Sequence, residues 1–302
     1  MFRMTRYIKS LMNPTPVRPV PKPTGPVVIW NLIRRCNLTC KHCYSISADV
    51  DFKGELSTDE VYTVMGDLKA FGVPVLILSG GEPLMRPDIF DISRRAKAMG
   101  FYVGLSTNGT LITGENIHQI AQAGYDYVGI SIDGLEKTHD EFRQKKGAFA
   151  ASMKAVELCK RAGIKVGLRF TLTQDNFPEL PDMLKMLDEH DIDKFYLSHL
   201  NYSGRGGRNR KRDAWYDMTR EAMTLMFDHC HDELPAAMGS RALPGPGPGT
   251  SATADLVGRQ CLRGQHFQYR QPGGSASRYI LVGLQPGQCP EHTVLPDLVR
   301  SQ

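Results

Sequence analysis

Three cysteines fall within eight positions in the stretch RRCNLTCKHCY (34 to 44), at CxxxCxxC spacing. Thiols this close in sequence either lie unconnected or serve together as thiolate ligands of a metal. Structural zinc closes its shell with four ligands, commonly as two CxxC pairs, and this stretch lacks the second pair. A zinc site here would borrow a distant fourth ligand such as His42 or Cys261. Three thiolates are enough to hold three irons of a 4Fe-4S cubane, which leaves the fourth iron without a protein ligand. An open position is what separates a catalytic metal site from a closed structural one. Cys36, Cys40 and Cys43 are therefore the candidate metal ligands, whereas Cys159 and Cys230 sit in helical periods and read as core or surface thiols.

Rigid elements must aim such a site, and the chain supplies them in a regular alternation. The apolar, β-branched runs VVIWNLI (27 to 33), VPVLILS (73 to 79), YVGLST (102 to 107), YVGISI (127 to 132), VGLRFTL (166 to 172) and KFYLSHL (194 to 200) read as buried parallel strands. Between them lie segments of helical spacing, most ending in the glycine expected just past a helix C-terminus. Six strand-then-helix units predict a partial parallel (β/α)6 barrel, with a doubly wound sheet as the competing arrangement. The cysteines follow the first strand directly and so fall on the C-terminal face, where parallel barrels carry their sites.

Polar groups recur at the following strand ends. LSGGEP (78 to 83) offers Gly80, Gly81 and Glu82, glycines that permit close backbone approach next to an anion that suits a cationic ammonium. STNG (106 to 109) and SIDG (131 to 134) bring Ser106, Asn108, Ser131 and Asp133, donors and acceptors suited to hydroxyls and a carboxylate. Either tetrapeptide alone also reads as plain turn chemistry. Arg169 on the fifth strand is a candidate partner for a ligand carboxylate, or equally for a structural salt bridge inside the barrel. NYSGRGGRNRKR (201 to 212) follows the sixth strand; Arg205 and Arg208 in it are candidate contacts for an anionic substrate, against the plainer reading of a solvated basic loop.

A chain of 302 residues with 41% hydrophobic residues can bury a sizeable core. Its net charge of +5 is too diffuse to point to nucleic acid, and no apolar run is long enough to span a membrane. The absence of a leader-like N-terminus and the odd number of cysteines, seven, suit a reducing, cytoplasmic setting. Residues 1–26 read as a proline-rich lead-in and 27–234 as the core domain. Residues 235–302 change character, with ten glycines, eight prolines and no lysine in 68 positions. This last segment reads as a disordered tail or as sequence translated out of frame. Only Cys261 and Cys289 lie beyond Cys230, too few to ligate a second cluster.

RRCNLTCKHCY resembles the signature of the radical S-adenosylmethionine (SAM) superfamily, with His42 where an aromatic ring usually precedes the third cysteine and Tyr44 following it. The resemblance implies a 4Fe-4S cluster on Cys36, Cys40 and Cys43, chelated at its open iron by SAM. It further implies SAM contacts from Tyr44, Gly80, Gly81, Glu82, Ser106, Asn108, Ser131, Asp133 and Arg169. A low-potential electron donor would reduce the cluster, and a 5'-deoxyadenosyl radical would abstract hydrogen from substrate without a protein acid or base. HDEFR (139 to 143) matches a further family segment, except that Gln144 replaces the usual glycine. GPVVIWNLIRRCNLTCKHCY, DFKGELST and VPVLILSGGEPLMRPDIF resemble the haem d1 biosynthesis branch. That branch implies a tetrapyrrole substrate, didecarboxysirohaem, and removal of its propionates, with haem-forming and peptide-maturing enzymes, or a catalytically impaired cluster-binding protein, as alternatives.

Overall fold

The computed structural model describes residues 25–232 and two further short strands, His266–Tyr269 and Arg278–Gly283. The proline-rich lead-in through residue 24, most of the segment after 232, Cys261 and Cys289 lie outside the described residues, as does the side chain of Cys230. The chain divides into two compact units, Thr24–Ala222 and a second made of 1–23 with 223–302.

The first unit holds six strands, β1 (Val27–Asn31), β2 (Val75–Ser79), β3 (Tyr102–Thr107), β4 (Tyr127–Ser131), β5 (Val166–Leu172) and β6 (Lys194–His199). Each pairs in parallel with the next, so spatial order is sequence order. A doubly wound sheet would reverse direction at a switch point, and this one never does. The arrangement is a curled half-barrel, as the strand count predicts. The crossovers carry α1 (Thr58–Ala70), α2 (Ile89–Ala98), α3 (Ile117–Gln122), α4 (Glu136–Arg143), α5 (Ala148–Arg161) and α6 (Leu180–Glu189). A short α7 (Gly204–Arg208) follows β6, and α8 (Tyr216–Asp232) runs across the boundary between the units. In the second unit β7 (His266–Tyr269) and β8 (Arg278–Gly283) pair antiparallel.

The two faces of the half-barrel differ in kind. Alternate residues Leu76, Leu78, Val103, Leu105, Val128, Ile130, Val166, Leu168 and Phe170 are fully buried on the outer face, against helix residues such as Met65, Ile92, Ile120, Val156 and Met183. Each such side chain contributes about 1.5–3 kcal/mol over exposure. The register places Ile77, Gly104, Gly129 and Gly167 on the inner face. A Cβ on Gly104 would lie 2.5 Å from the Tyr127 ring, and one on Gly167 would lie 3.0 Å from the Tyr196 ring. The rings of Tyr102, Tyr127 and Tyr196 therefore lie across this glycine row, with centroids 6.2 and 5.9 Å apart. Lys194 is inserted among them, 4.3 Å from the Tyr127 centroid and donating to the Tyr102 hydroxyl at 2.7 Å.

Local chemistry sets the helix ends. Ser57 and Glu60 form a capping box at the start of α1, worth about 1 kcal/mol. At the end of α4 Gln144 takes the left-handed conformation (φ 54°) that a glycine adopts without strain.

Candidate functional site

The cysteine loop is an excursion from Arg35 to Ala48, closed by a bridge between them in which Cys36 N donates to Ala48 O at 3.1 Å. Within it Cys36, Leu38 and Cys40 are buried together and Cys43 packs against them, all three thiols free of disulfides. Burial pushes the Cys36 thiol up to about 12 and raises Cys40 as well, so these groups ionise only in company with positive charge. Arg143 supplies one such charge, its Nη1 lying 3.5 Å from the Cys40 sulfur. Ser47 Oγ lies 3.5 Å from the Cys43 sulfur.

Four strand-end segments brace this loop. From β2, Gly81 N donates to Ile33 O at 2.6 Å and Glu82 N to Arg35 O at 2.9 Å. A Cβ on Gly81 would sit 2.3 Å from Arg35 O, so the glycines serve the close approach of two backbones. Glu82 is fully buried and accepts from Thr107 Oγ1 (2.7 Å), Asn108 N (2.8 Å) and Leu84 N (3.1 Å). Burial raises its carboxyl, and those donors counter only part of the effect. It ties the β2 loop to the β3 loop. From β3, Asn108 Nδ2 donates to Asn37 Oδ1 at 2.9 Å, while its own oxygen accepts from Thr110.

From β4, Asp133 is fully buried and accepts from Arg143 Nη2 and from Thr171 N (2.7 Å). Burial alone would raise this carboxyl, but the Arg143 charge, His42, His139 and the bond from Thr171 N together outweigh it and hold the group below the usual carboxylate range. His42 Nε2 lies 3.4 Å from the same carboxylate, with its ring tilted against Phe142. Burial pushes His42 down to about 4, so the contact is not an ion pair at neutral pH. The HDEFR segment resolves residue by residue. His139 accepts from Asp133 N at 3.0 Å, Asp140 caps Gly147 N and Phe149 N, and Arg143 joins Asp133 to Cys40. The next helix, α5, buries Cys159 completely, as a core thiol.

The fourth brace comes from the basic segment after β6. Arg205 Nε donates to Cys40 O at 2.8 Å, Nη1 to Ser47 O at 2.7 Å and Nη2 to Ser47 Oγ at 3.3 Å. Gly206 N donates to Cys43 O, and Asn209 Nδ2 to Lys41 O at 2.7 Å. Side chains on Gly204 or Gly206 would collide with Tyr44 O or Asn201 O. Arg205, expected from sequence to meet substrate, is thus spent on the cysteine loop, where its fork of donors reaches two carbonyls and a hydroxyl at once. Arg208 stays exposed.

Glu82, Asn108 and Asp133 are therefore bonded within the protein, which sequence, reading residue types alone, did not separate from ligand contacts. Ser106, Ser131 and Arg169 share the inner face, where Arg169 Nη1 donates to Ser106 Oγ and Ser131 pairs in register with Arg169. Tyr44, half-buried, donates from its hydroxyl to Asn31 Oδ1 at 2.8 Å at the top of β1. Sequence reading missed Lys194 and the three tyrosines; the placement of Tyr102 and Tyr127 two residues before Gly104 and Gly129 was the available signal.

Among the described residues no three His, Cys, Asp or Glu side chains converge as ligands of one metal ion would. Three thiolates on one loop would serve three irons of a cluster. Two buried nitrogens beside the loop, His42 Nδ1 and Arg143 Nε, also have no hydrogen-bond partner. The unmet donor, Arg143 Nε, suits a sulfur atom of a bound cluster.

Comparison with known proteins agrees with this geometry. Residues 30–187 match the family described as the radical SAM superfamily. The chain is 53% identical over 227 residues to the pre-heme d1 synthase of Dinoroseobacter shibae, covering 75% of this chain and 56% of that protein. It is 42% identical over 207 residues to the Fe-coproporphyrin III synthase of Methanosarcina barkeri, covering 68% and 52%. The chain thus spans little more than half the length of these relatives. Streptococcus suis SuiB bound to S-adenosylmethionine has the same fold over 67% of this chain and 48% of its own, at TM-score 0.58 and 18% identity. With a matching family over half its length and a cysteine loop braced from four strand ends, the chain belongs to the radical SAM superfamily.

Proposed function

We propose that this chain is a radical SAM enzyme of tetrapyrrole biosynthesis, acting on didecarboxysirohaem to remove propionate side chains. The observation that carries this reading is the 53% identity to a pre-heme d1 synthase. Cys36, Cys40 and Cys43 would hold a 4Fe-4S cluster, which with SAM supplies a 5'-deoxyadenosyl radical for hydrogen abstraction. The inner-face groups best placed to meet SAM are Arg169, Ser106 and Ser131, with the Gly80–Gly81 backbone and Tyr44 at the rim. Glu82, Asn108 and Asp133 contribute by fixing the loops on which those groups stand.

Beneath them the tyrosine layer with Lys194 offers flat apolar surface and a cation, features that suit an anionic macrocycle. The identity to an Fe-coproporphyrin III synthase favours a second reading, in which a related tetrapyrrole is the substrate.

Anaerobic reconstitution with iron and sulfide, then addition of SAM and dithionite, tests the chemistry. Formation of 5'-deoxyadenosine that is lost on replacing Cys36, Cys40 or Cys43 by alanine is the expected result. A shifted optical spectrum on adding didecarboxysirohaem, and none with Fe-coproporphyrin III, selects the first substrate. No 5'-deoxyadenosine from the reconstituted protein would refute the enzyme reading.

A further inference from the structure

The cysteine loop has a side that turns away from the half-barrel, and that side is basic. Lys41 follows the ligand Cys40 directly; its backbone N donates to Phe142 O at 2.8 Å and its carbonyl accepts from Asn209 Nδ2 at 2.7 Å. The Lys41 peptide is thereby fixed between the end of α4 and the segment after α7. Both flanks carry exposed cations: Lys145 and Lys146 just past α4, and Arg208, Arg210 and Lys211 on either side of Asn209. Arg212 is neutralised by Asp175, and Asp140 is occupied in capping Gly147 and Phe149. Lys41, Lys145, Lys146, Arg208 and Lys211 form no ion pair among the described residues; the exposed carboxylates nearby in sequence are Glu141 and, beyond Trp215, Asp217, which pairs with Arg220.

Aromatic surface adjoins the cations. Tyr202, which stacks under Arg210 at 4.8 Å, is 50% exposed, and Trp215, two residues beyond Asp213, is 65% exposed. Exposed Tyr and Trp beside Arg are the composition of a protein-binding surface more than of a small-anion site. The position distinguishes the partner further. A substrate has to reach the reacting atoms from the concave side, whereas an electron crosses a peptide group without contact between the reacting centres.

We propose that this surface docks an acidic one-electron carrier protein, with the Cys40–Lys41 peptide as the entry point for the electron. This rests on the cluster reading given above. In each encounter the carrier gives one electron to the cluster and leaves oxidised by one. Complementary charge speeds the encounter and loses its effect as salt rises.

The test compares two electron sources on the reconstituted full chain. The variant carries Lys145→Glu, Lys146→Glu and Lys211→Glu, none of which touches the cysteine loop with its side chain. Initial rates of 5'-deoxyadenosine formation are measured with reduced flavodoxin, as the acidic carrier, and with dithionite. At low salt the flavodoxin-driven kcat/KM should fall by about 10-fold or more while the dithionite-driven rate holds, and the salt dependence of the unmodified protein should flatten. An unchanged flavodoxin-driven rate overturns the proposal. So does an equal loss with both reductants, or a loss confined to tetrapyrrole affinity, which would assign the surface to substrate. Absence of product from the unmodified protein with dithionite removes the enzyme reading itself, and the docking proposal with it.

Discussion

Replacing Arg205 by alanine should loosen the cysteine loop without disturbing the half-barrel. The guanidinium makes two bonds to backbone carbonyls, at 2.8 and 2.7 Å, and a longer one to Ser47 Oγ. Charge-assisted bonds contribute about 1.5–3 kcal/mol each. Arg205 is only half-buried, so water can replace it on the carbonyls and the lower end applies, giving about 3 kcal/mol for the pair. At about 1.4 kcal/mol per factor of ten, loop opening becomes roughly 100-fold more frequent. Iron release from the reconstituted protein to a strong chelator, followed by loss of cluster absorbance, should accelerate by a similar factor. Lysine at the same position can keep one of the two carbonyls and should restore about half of the lost free energy. Hydrogen exchange reads the same opening without a cluster, at the Gly206 amide that donates to Cys43 O. Unchanged iron release together with unchanged Gly206 exchange in Arg205→Ala would refute the bracing role.

Two further substitutions probe the supports from other directions. Asp133→Asn keeps the bond from Thr171 N but leaves the buried Arg143 without its counter-charge, a loss of about 3–5 kcal/mol in denaturant unfolding. Because the folded protein holds Asp133 below its ordinary value, that stabilisation is complete above about pH 4 and fades as pH falls through the folded value. The asparagine variant should therefore lose this component of the acid limb in a stability-against-pH series. Gln144→Gly should raise stability by about 1 kcal/mol in the same unfolding assay, since glycine takes the left-handed turn after α4 without strain.

The strands are legible in sequence because apolar and β-branched residues gather in short runs between helical periods, and all six fall within those runs. The departures are at ends. β2 begins at Val75 and not at Val73, because Val73 N still donates to Leu68 O and completes the turn that closes α1. β1 stops at Asn31, two residues early, where the chain leaves the ladder to meet the glycine loop through Leu32 and Ile33. The cysteine loop and the polar strand ends are equally plain in the sequence. What they bond to is not, because Arg205 and Ser47 lie 158 positions apart and Arg143 and Cys40 lie 103 apart. Residue type announces that a carboxylate is present; only the folded chain decides whether Asp133 faces a ligand or Arg143.

Gly129 and Gly167 pair in register while Gly104 stands level with Tyr127, and the Tyr127 ring lies against all three glycines. Holding the sheet together and shaping its hollow are thus assigned to different residues. The outer face can stay constant while a single methyl group at 104, on the inner face, lifts a tyrosine and makes the hollow shallower. The depth of the chamber is set by what these strands omit, so a few positions change it while the sheet's core stays as it is.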